Sequence, residues 1–214
     1  MTSAWVVERY RGSASDLHAL EWPEPVVPTV WLLAVDAPAL VLGSTQKAGT
    51  VDLDRLDADG IELARRRSGG GAVLLEPDAS VWVDVLVPRD DPRWVDDVGR
   101  SFAWLGAAWV AALADVGVGD ARVHAGALQC GRFGKQVCFA GIGPGEVTVD
   151  GVKIVGLSQR RTRAGARFQC VVHRAWRPDP YVAIAGVDPE ELPSVAVLDA
   201  AAPAVEAALL THLG

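Results

Sequence analysis

A chain of 214 residues, half of them hydrophobic and 22% charged, can bury a real core, and that balance excludes wholesale disorder. The length makes one domain, residues 1–214, the first expectation. A formal net charge of -7 argues against a duplex-coating nucleic-acid binder and leaves room only for a local basic pocket.

The stretch Met1 to Tyr10 carries Glu8 and Arg9 and no long apolar run, so no signal peptide is expected. The most apolar segment, Val26 to Val35, is broken by Pro28 and is too short to span a bilayer. The expectation is a cytoplasmic protein that does not contact membranes. Cys130, Cys138 and Cys170 show no CxxC spacing, which disfavours a disulfide framework or a cysteine zinc site and favours free thiols. His18, His124, His173 and His212 form no metal-ligand spacing, and no metal is expected.

In chain order, the pattern predicts a strand over Trp5 to Tyr10 and a short helix over Ser13 to Glu21, capped by Ser13 or Ser15. Thr29 to Ala34 and Ala39 to Leu42 read as buried strands. A short helix over Val51 to Ala58 is stopped by Gly60, and strand-like Ile61 to Arg67 runs into Gly69-Gly70-Gly71. Ala72 to Leu75 and Ser80 to Val87 are strands ended by Pro77 and Pro88. The clearest helix is Trp94 to Val116, where Trp94, Val98, Phe102, Leu105, Trp109, Leu113 and Val116 make one apolar stripe. Glu146 to Val149 and Val152 to Ser158 form a hairpin around Asp150-Gly151, a strong type I′ turn signal. Phe168 to Val172 is a further strand, and Ala201 to Leu213 is an alanine-rich helix with Pro203 in its first turn. Without a regular βαβ rhythm, the reading is an α+β single domain with a mixed, mostly antiparallel sheet packed by helices.

Four segments carry candidate chemistry. The first is Arg65 to Val73. Its three glycines permit positive φ and close approach of a ligand, and successive amides there can cradle an anion. Strand alternation turns Arg66 away from Arg65 and Arg67, so at most one or two of these guanidinium groups enter one pocket. The second is Lys153, one residue beyond the hairpin turn in an apolar strand and expected to share a face with Val155 and Leu157. Gly156 in that strand suggests a bulge or a close contact. The third is Cys138, whose use as a nucleophile requires nearby positive charge from Lys135 or Lys153. The fourth is the cluster Arg160, Arg161, Arg163 and Arg167, either a solvated basic loop or a seat for an acidic partner.

Two of these segments together resemble the lipoate–protein ligase family. The family's Arg-Arg-x-Ser/Thr-Gly-Gly-Gly-Ala-Val loop stands here as Arg65 to Val73. Its downstream Gly-x-Lys-[Ile/Val]-x-Gly-x-x-Gln-x-Arg stands as Gly151 to Arg161, and Val41 to Gln46 resembles its Gly-x-x-Gln segment. The resemblance implies a fold like the biotin/lipoate ligase catalytic domain and a tunnel for an eight-carbon acyl chain, with lipoate or octanoate as substrate. It implies that Lys153 holds the acyl carbonyl or an adenylate phosphate. Arg66, Ser68, Gly69, Gly70, Gly71, Ala72 and Gly156 would line the acyl or adenylate site. The implied partner is a lipoyl carrier domain of a 2-oxoacid dehydrogenase complex or a glycine cleavage H-type protein, with Arg160 to Arg167 meeting its acidic surface.

The family holds two chemistries. Ligases use ATP and Mg²⁺ to make an acyl-adenylate, and an Asn-Asp pair upstream of the lysine usually serves the nucleotide; Gly145-Glu146 stands at that place here. One class of octanoyltransferases uses a cysteine thioester without ATP, and Cys138-Phe139 resembles its Cys-Phe pair, although that class has Gln-His-Gly where this chain has Gln169-Cys170-Val171. The adenylate route is the first expectation and the Cys138 thioester route the alternative. A non-catalytic binder of acyl groups or of the carrier is the third. The chain carries no segment expected to form the accessory C-terminal domain of many ligases, and it lacks the GRGRxGR-type loop expected for biotin.

Overall fold

The computed structural model describes residues 4–214; Met1 to Ser3, part of the stretch read for a leader, lie outside the described residues. The elements are β1 (Val6–Gly12), α1 (Ala14–Ala19), β2 (Thr29–Val35), β3 (Ala39–Leu42), α2 (Leu53–Ala58), β4 (Glu62–Arg65), β5 (Val73–Leu75) and β6 (Ser80–Pro88). They continue with α3 (Ala103–Asp115), β7 (Ala121–Val123), β8 (Gln129–Cys130), β9 (Gly141–Ile142), β10 (Val147–Val149), β11 (Val152–Arg161), β12 (Gly165–His173) and α4 (Ala202–His212). A seven-stranded sheet runs in the order β1-β2-β6-β12-β11-β10-β7. Only its β1–β2 pair is parallel. The mixed, mostly antiparallel sheet expected from the pattern is therefore the one that forms. The small sheet β4-β3-β5 was not expected as a separate layer. Strands of three or four residues are too short to show a period of two against their surroundings.

Alternation along β2 and β6 divides the core between the two faces of the large sheet. Val30, Leu32, Val81, Val83, Val85 and Val87 face α3 and α4, where Leu105, Trp109, Leu113, Val205 and Leu209 are buried. Trp31, Leu33, Trp82 and Leu86 face the opposite way, against α1 and the small sheet. β6 is buried on both faces, so it reads as a continuous apolar run interrupted only by Asp84.

Helix α1 is too short to stand alone, and the tertiary structure holds both its ends. Ser13 accepts from the Asp16 amide, and the Glu62 carboxylate of β4 accepts from the amides of Ala14 and Ser15. At the other end, the buried Arg167 guanidinium donates to the carbonyls of Leu17 and His18, while its Nε pairs with Asp84 at 2.6 Å. Arg167 is thus an internal brace, and the expectation that it meets a carrier surface is corrected. Arg161 is likewise committed, to the carbonyls of Val95 and Asp96.

That same contact corrects the longest predicted helix. α3 begins at Ala103, after a 3₁₀ turn at Arg100–Phe102, and not at Trp94. The Arg161 guanidinium takes the Val95 and Asp96 carbonyls and lies over the Trp94 ring at 4.5 Å, so those acceptors cannot serve a first helical turn. The apolar stripe from Leu105 to Leu113 packs as expected, whereas Val98 is exposed.

Candidate active site

Three local devices bring the site together. The first is the glycine turn. Gly70 has a φ of 101°, which favours glycine, and a side chain on Gly71 would sit 2.7–2.8 Å from the backbone of Val137 and Cys138. The Ala72 amide donates to Gln136 O and the Cys138 amide to Ala72 O, so the turn is stitched to the segment that carries the cysteine. Gln46 extends the same stitch: its Oε1 accepts from the Gly43 amide and its Nε2 donates to Gln136 O. Among the described residues, nothing accepts from the amides of Gly69, Gly70 and Gly71, which line an open cleft of about 380 Å³.

Arg66 is buried while Arg65 and Arg67 are exposed, as alternation requires. Its role differs from the expectation. Its guanidinium donates to the carbonyls of Val41, Gly69 and Gly71, and so braces the glycine turn from behind. Burial lowers its pKa, and the opposing pull of Cys138, Tyr181 and Glu146 does not fully offset that. A guanidinium nevertheless stays protonated.

The second device is the hairpin. Asp150 and Gly151 both have positive φ, 51° and 78°, as a type I′ turn demands. One step further, Val147 pairs with Val155 while Thr148 pairs with Lys153, which leaves Ile154 as the extra residue of a β-bulge. The bulge breaks the expected common face of Lys153, Val155 and Leu157. Lys153 instead shares its side with Gly156, where an added Cβ would sit 3.2 Å from Lys153 Cε and 3.1 Å from the Phe139 ring. The close approach at Gly156 is thus to the protein's own residues.

The third device is the acid that holds the lysine. Lys153 is 3% exposed and Glu146 4% exposed, and their side chains pair at 2.6 Å. Lys153 Nζ also donates to Cys138 O at 2.9 Å and Gly141 O at 3.2 Å, and lies 3.7 Å from Cys138 Sγ. Burial acts to lower the Lys153 pKa, but the Cys138 sulfur and the Glu146 carboxylate outweigh it, and the net direction is upward. Lys153 is a fixed cation. Its three protons already have acceptors, so it is not a free hand for an acyl carbonyl, as the resemblance implied. Glu146 has its Oε1 on Lys153 and the Leu157 amide, and its Oε2 on the Gly143 amide. Glu146→Gln should lower unfolding stability by about 3–5 kcal/mol in urea titration, because it leaves a buried ammonium without its counter-charge.

Cys138, Lys153, Glu146 and the three glycines all border the 380 Å³ cleft. From the cysteine a narrow slot of about 30 Å³ continues inward between the large sheet and the small one, lined by Val73, Leu75, Trp82, Phe139, Gly156 and Val171 among others. Ser68 was expected to line the site but does not border the slot; it lies behind its polar wall, where its hydroxyl holds Gln169 Oε1 and meets Ser158 Oγ, and these two residues do line it. Ala72 is fully buried and acts through its backbone.

Sequence reasoning missed His18, Asp84 and Gln169. Asp84 Oδ1 accepts from Trp82 Nε1, and its Oδ2 from Arg167 Nε and Gln169 Nε2; Gln169 Nε2 also donates to His18 Nδ1 at 3.1 Å. The available signal was one charged residue inside the apolar run of β6. Burial pushes both His18 and His173 down to about 3 from 6.5. Between those values only the unfolded chain takes up the proton, so stability is lost as pH falls. The urea midpoint should drop between about pH 6.5 and 5, above the range where ordinary carboxylates protonate; a flat midpoint there would contradict it.

A family model described as the lipoyl protein ligase A/B catalytic domain matches residues 15–194. The chain belongs to the lipoyl protein ligase A/B catalytic-domain family. Curated relatives within reach of this family member are named octanoyltransferase LipM. The one from Kyrpidia tusciae is 34% identical over 143 residues, which is 64% of this chain and 51% of the relative. The one from Moorella thermoacetica is 31% identical over 141 residues, 63% of this chain and 49% of the relative. The chain spans about half the length of the curated relatives it matches. Among solved structures, a bipartite lipoate protein ligase from Thermoplasma acidophilum, described with its E2 lipoyl domain, superposes with a TM-score of 0.70 at 20% identity. That match covers 99% of this chain and 82% of the other. A lipoate-protein ligase A bound with ATP gives 0.69 at 20% identity, over 98% and 83%. These structures establish the shared lipoate ligase fold.

No helix of the described residues is long and apolar enough to cross a membrane. No group of three or more His, Cys, Asp or Glu side chains among them is arranged to hold a metal ion.

Proposed function

We propose that this family member is an ATP-independent acyltransferase that moves an octanoyl or lipoyl group through a thioester on Cys138 to a lysine of a lipoyl carrier domain. The observation that carries the reading is the 3.7 Å approach of Lys153 Nζ to Cys138 Sγ inside a cleft that the glycine turn also lines. Lys153, buried and paired with Glu146, is the cation beside the sulfur, placed to attend the charge that moves on and off it during transfer. The Cys138 thiolate attacks the donor thioester carbonyl, and the donor sulfur departs as thiolate and takes up a proton. The acceptor ammonium loses one proton to solvent and attacks the acyl-Cys138 carbonyl as the neutral amine; the C–N bond forms, the C–S bond breaks, and the second proton lost from the nitrogen goes to the departing Cys138 sulfur, which restores the thiol. In both steps charge develops on the carbonyl oxygen, and the unpartnered amides of Gly69 to Gly71 are the donors at hand for it.

The names of the curated relatives support this route over the adenylate route that the sequence put first. The residues also fit it better. ATP and Mg²⁺ would need a free acidic ligand where Glu146 stands, and both Glu146 oxygens are taken by Lys153 and by two backbone amides. No step is therefore routed through a nucleotide. The acceptor we propose is a lipoyl carrier of the 2-oxoacid dehydrogenase or glycine cleavage H-type kind, in a cytoplasmic setting.

The test mixes purified protein with apo carrier domain and reads the acceptor's intact mass. Octanoyl-carrier thioester alone should add one octanoyl group. A gain that requires lipoate, ATP and Mg²⁺ would restore the ligase reading, and binding without any mass gain would favour a non-catalytic binder.

A further inference from the structure

The slot's inner end holds a polar group that acyl transfer does not use. Gly156, Val171 and Trp82 lie in lateral register on β11, β12 and β6. The slot therefore crosses two strand spacings, about 10 Å, from the mouth beside Cys138 to the end at Trp82. That matches the length of an extended medium-length chain, and because the slot encloses only about 30 Å³, the room of one water, its walls must part for such a chain to enter. At that end the His18 ring lies 4.5 Å from the Trp82 ring and lines the slot.

The protons on this imidazole follow from its neighbours. Asp84 Oδ2 is an acceptor, already paired with Arg167, so the Gln169 group facing it must be the amide nitrogen. The same nitrogen faces His18 Nδ1, which must then accept. The Gln169 oxygen is fixed independently by the Ser68 hydroxyl. A neutral His18 thus carries its proton on Nε2. That atom is buried, His18 as a whole is 7% exposed, and Nε2 has no partner among the described residues. A buried donor without an acceptor is costly, so such groups ordinarily have one.

We infer that His18 Nε2–H is a selector at the blind end of the slot, held for a weak acceptor, sulfur or oxygen, within the last few carbons of the acyl chain. This rests on the reading of the slot as the acyl site. A plain hydrocarbon tail leaves the donor unsatisfied. A tail with a ring sulfur or a carbonyl oxygen satisfies it, the sulfur more weakly.

The experiment offers the protein N-acetylcysteamine thioesters of octanoate, lipoate and 7-oxooctanoate separately, below saturation, and follows the acyl adduct on Cys138 by intact mass. The oxo chain should acylate about five- to tenfold faster than octanoyl, with lipoyl between them. His18→Leu should remove the ratio while still forming adducts, a change that a purely structural role would not produce. Equal rates for all three with the unaltered protein would overturn the inference and mean that a bound water satisfies Nε2. No adduct from any thioester would overturn the acyl-transfer reading and the inference with it, so the two failures are told apart.

Discussion

Cys138→Ala should abolish the acyl-enzyme adduct and lower transfer from an octanoyl thioester to the carrier by about 10⁴-fold or more, the scale on which loss of a covalent nucleophile acts. The fold should not change. Cys138 is held by its backbone, its amide on Ala72 O and its carbonyl accepting from Lys153, and alanine keeps both bonds. Its sulfur borders the open cleft and is partly exposed, so the variant should unfold within about 1 kcal/mol of the parent. The other two thiols give an internal control. Cys170 is fully buried in the helix-facing core, and burial pushes its thiol pKa up. Cys130 is exposed, outside both the cleft and the slot. Alanine at either position should leave the adduct intact. A Cys138→Ala protein that still transfers octanoate would remove the thioester mechanism.

The parts of this site that the sequence made legible are those whose physics is local. Positive φ at Gly70 and at Asp150-Gly151 is demanded by a turn, and the residue types announce it. The inward Arg66 follows from alternation over three residues. What escaped was written by contacts between distant segments. The Ile154 bulge comes from the pairing of β10 with β11 and moves Lys153 off the face that simple alternation assigned. The guanidinium of Arg66 was expected to line a ligand site, but the carbonyls of Val41, Gly69 and Gly71 reach it first. Residues 94–99 have a helical pattern, and Arg161 from β11 overrides it. The His18–Gln169–Asp84 network joins three elements far apart in the chain, and no spacing rule connects them. Position 146 lies between the two cases. Its acidic type was visible, and only the fold shows that it pairs with the lysine.

Lys153→Met should reduce acyl-adduct formation by about a hundredfold or more while retaining most of the side chain's packing against Phe139. The loss has two components that separate cleanly. Removing the cation takes away the positive charge 3.7 Å from Cys138 Sγ, which is the catalytic effect. It also leaves Glu146 as a buried carboxylate without its partner, which should cost about 3–5 kcal/mol of stability. Adding Glu146→Gln to Lys153→Met removes that orphaned charge. The double variant should therefore recover much of the urea midpoint, because a neutral pair replaces an ion pair, yet acylate no faster than Lys153→Met alone. If activity returned with stability, Lys153 would be a folding residue only. If Lys153→Met alone kept near-normal turnover, positive charge at this hairpin would have no part in the reaction, and the assignment of Lys153 to the transfer step would fall.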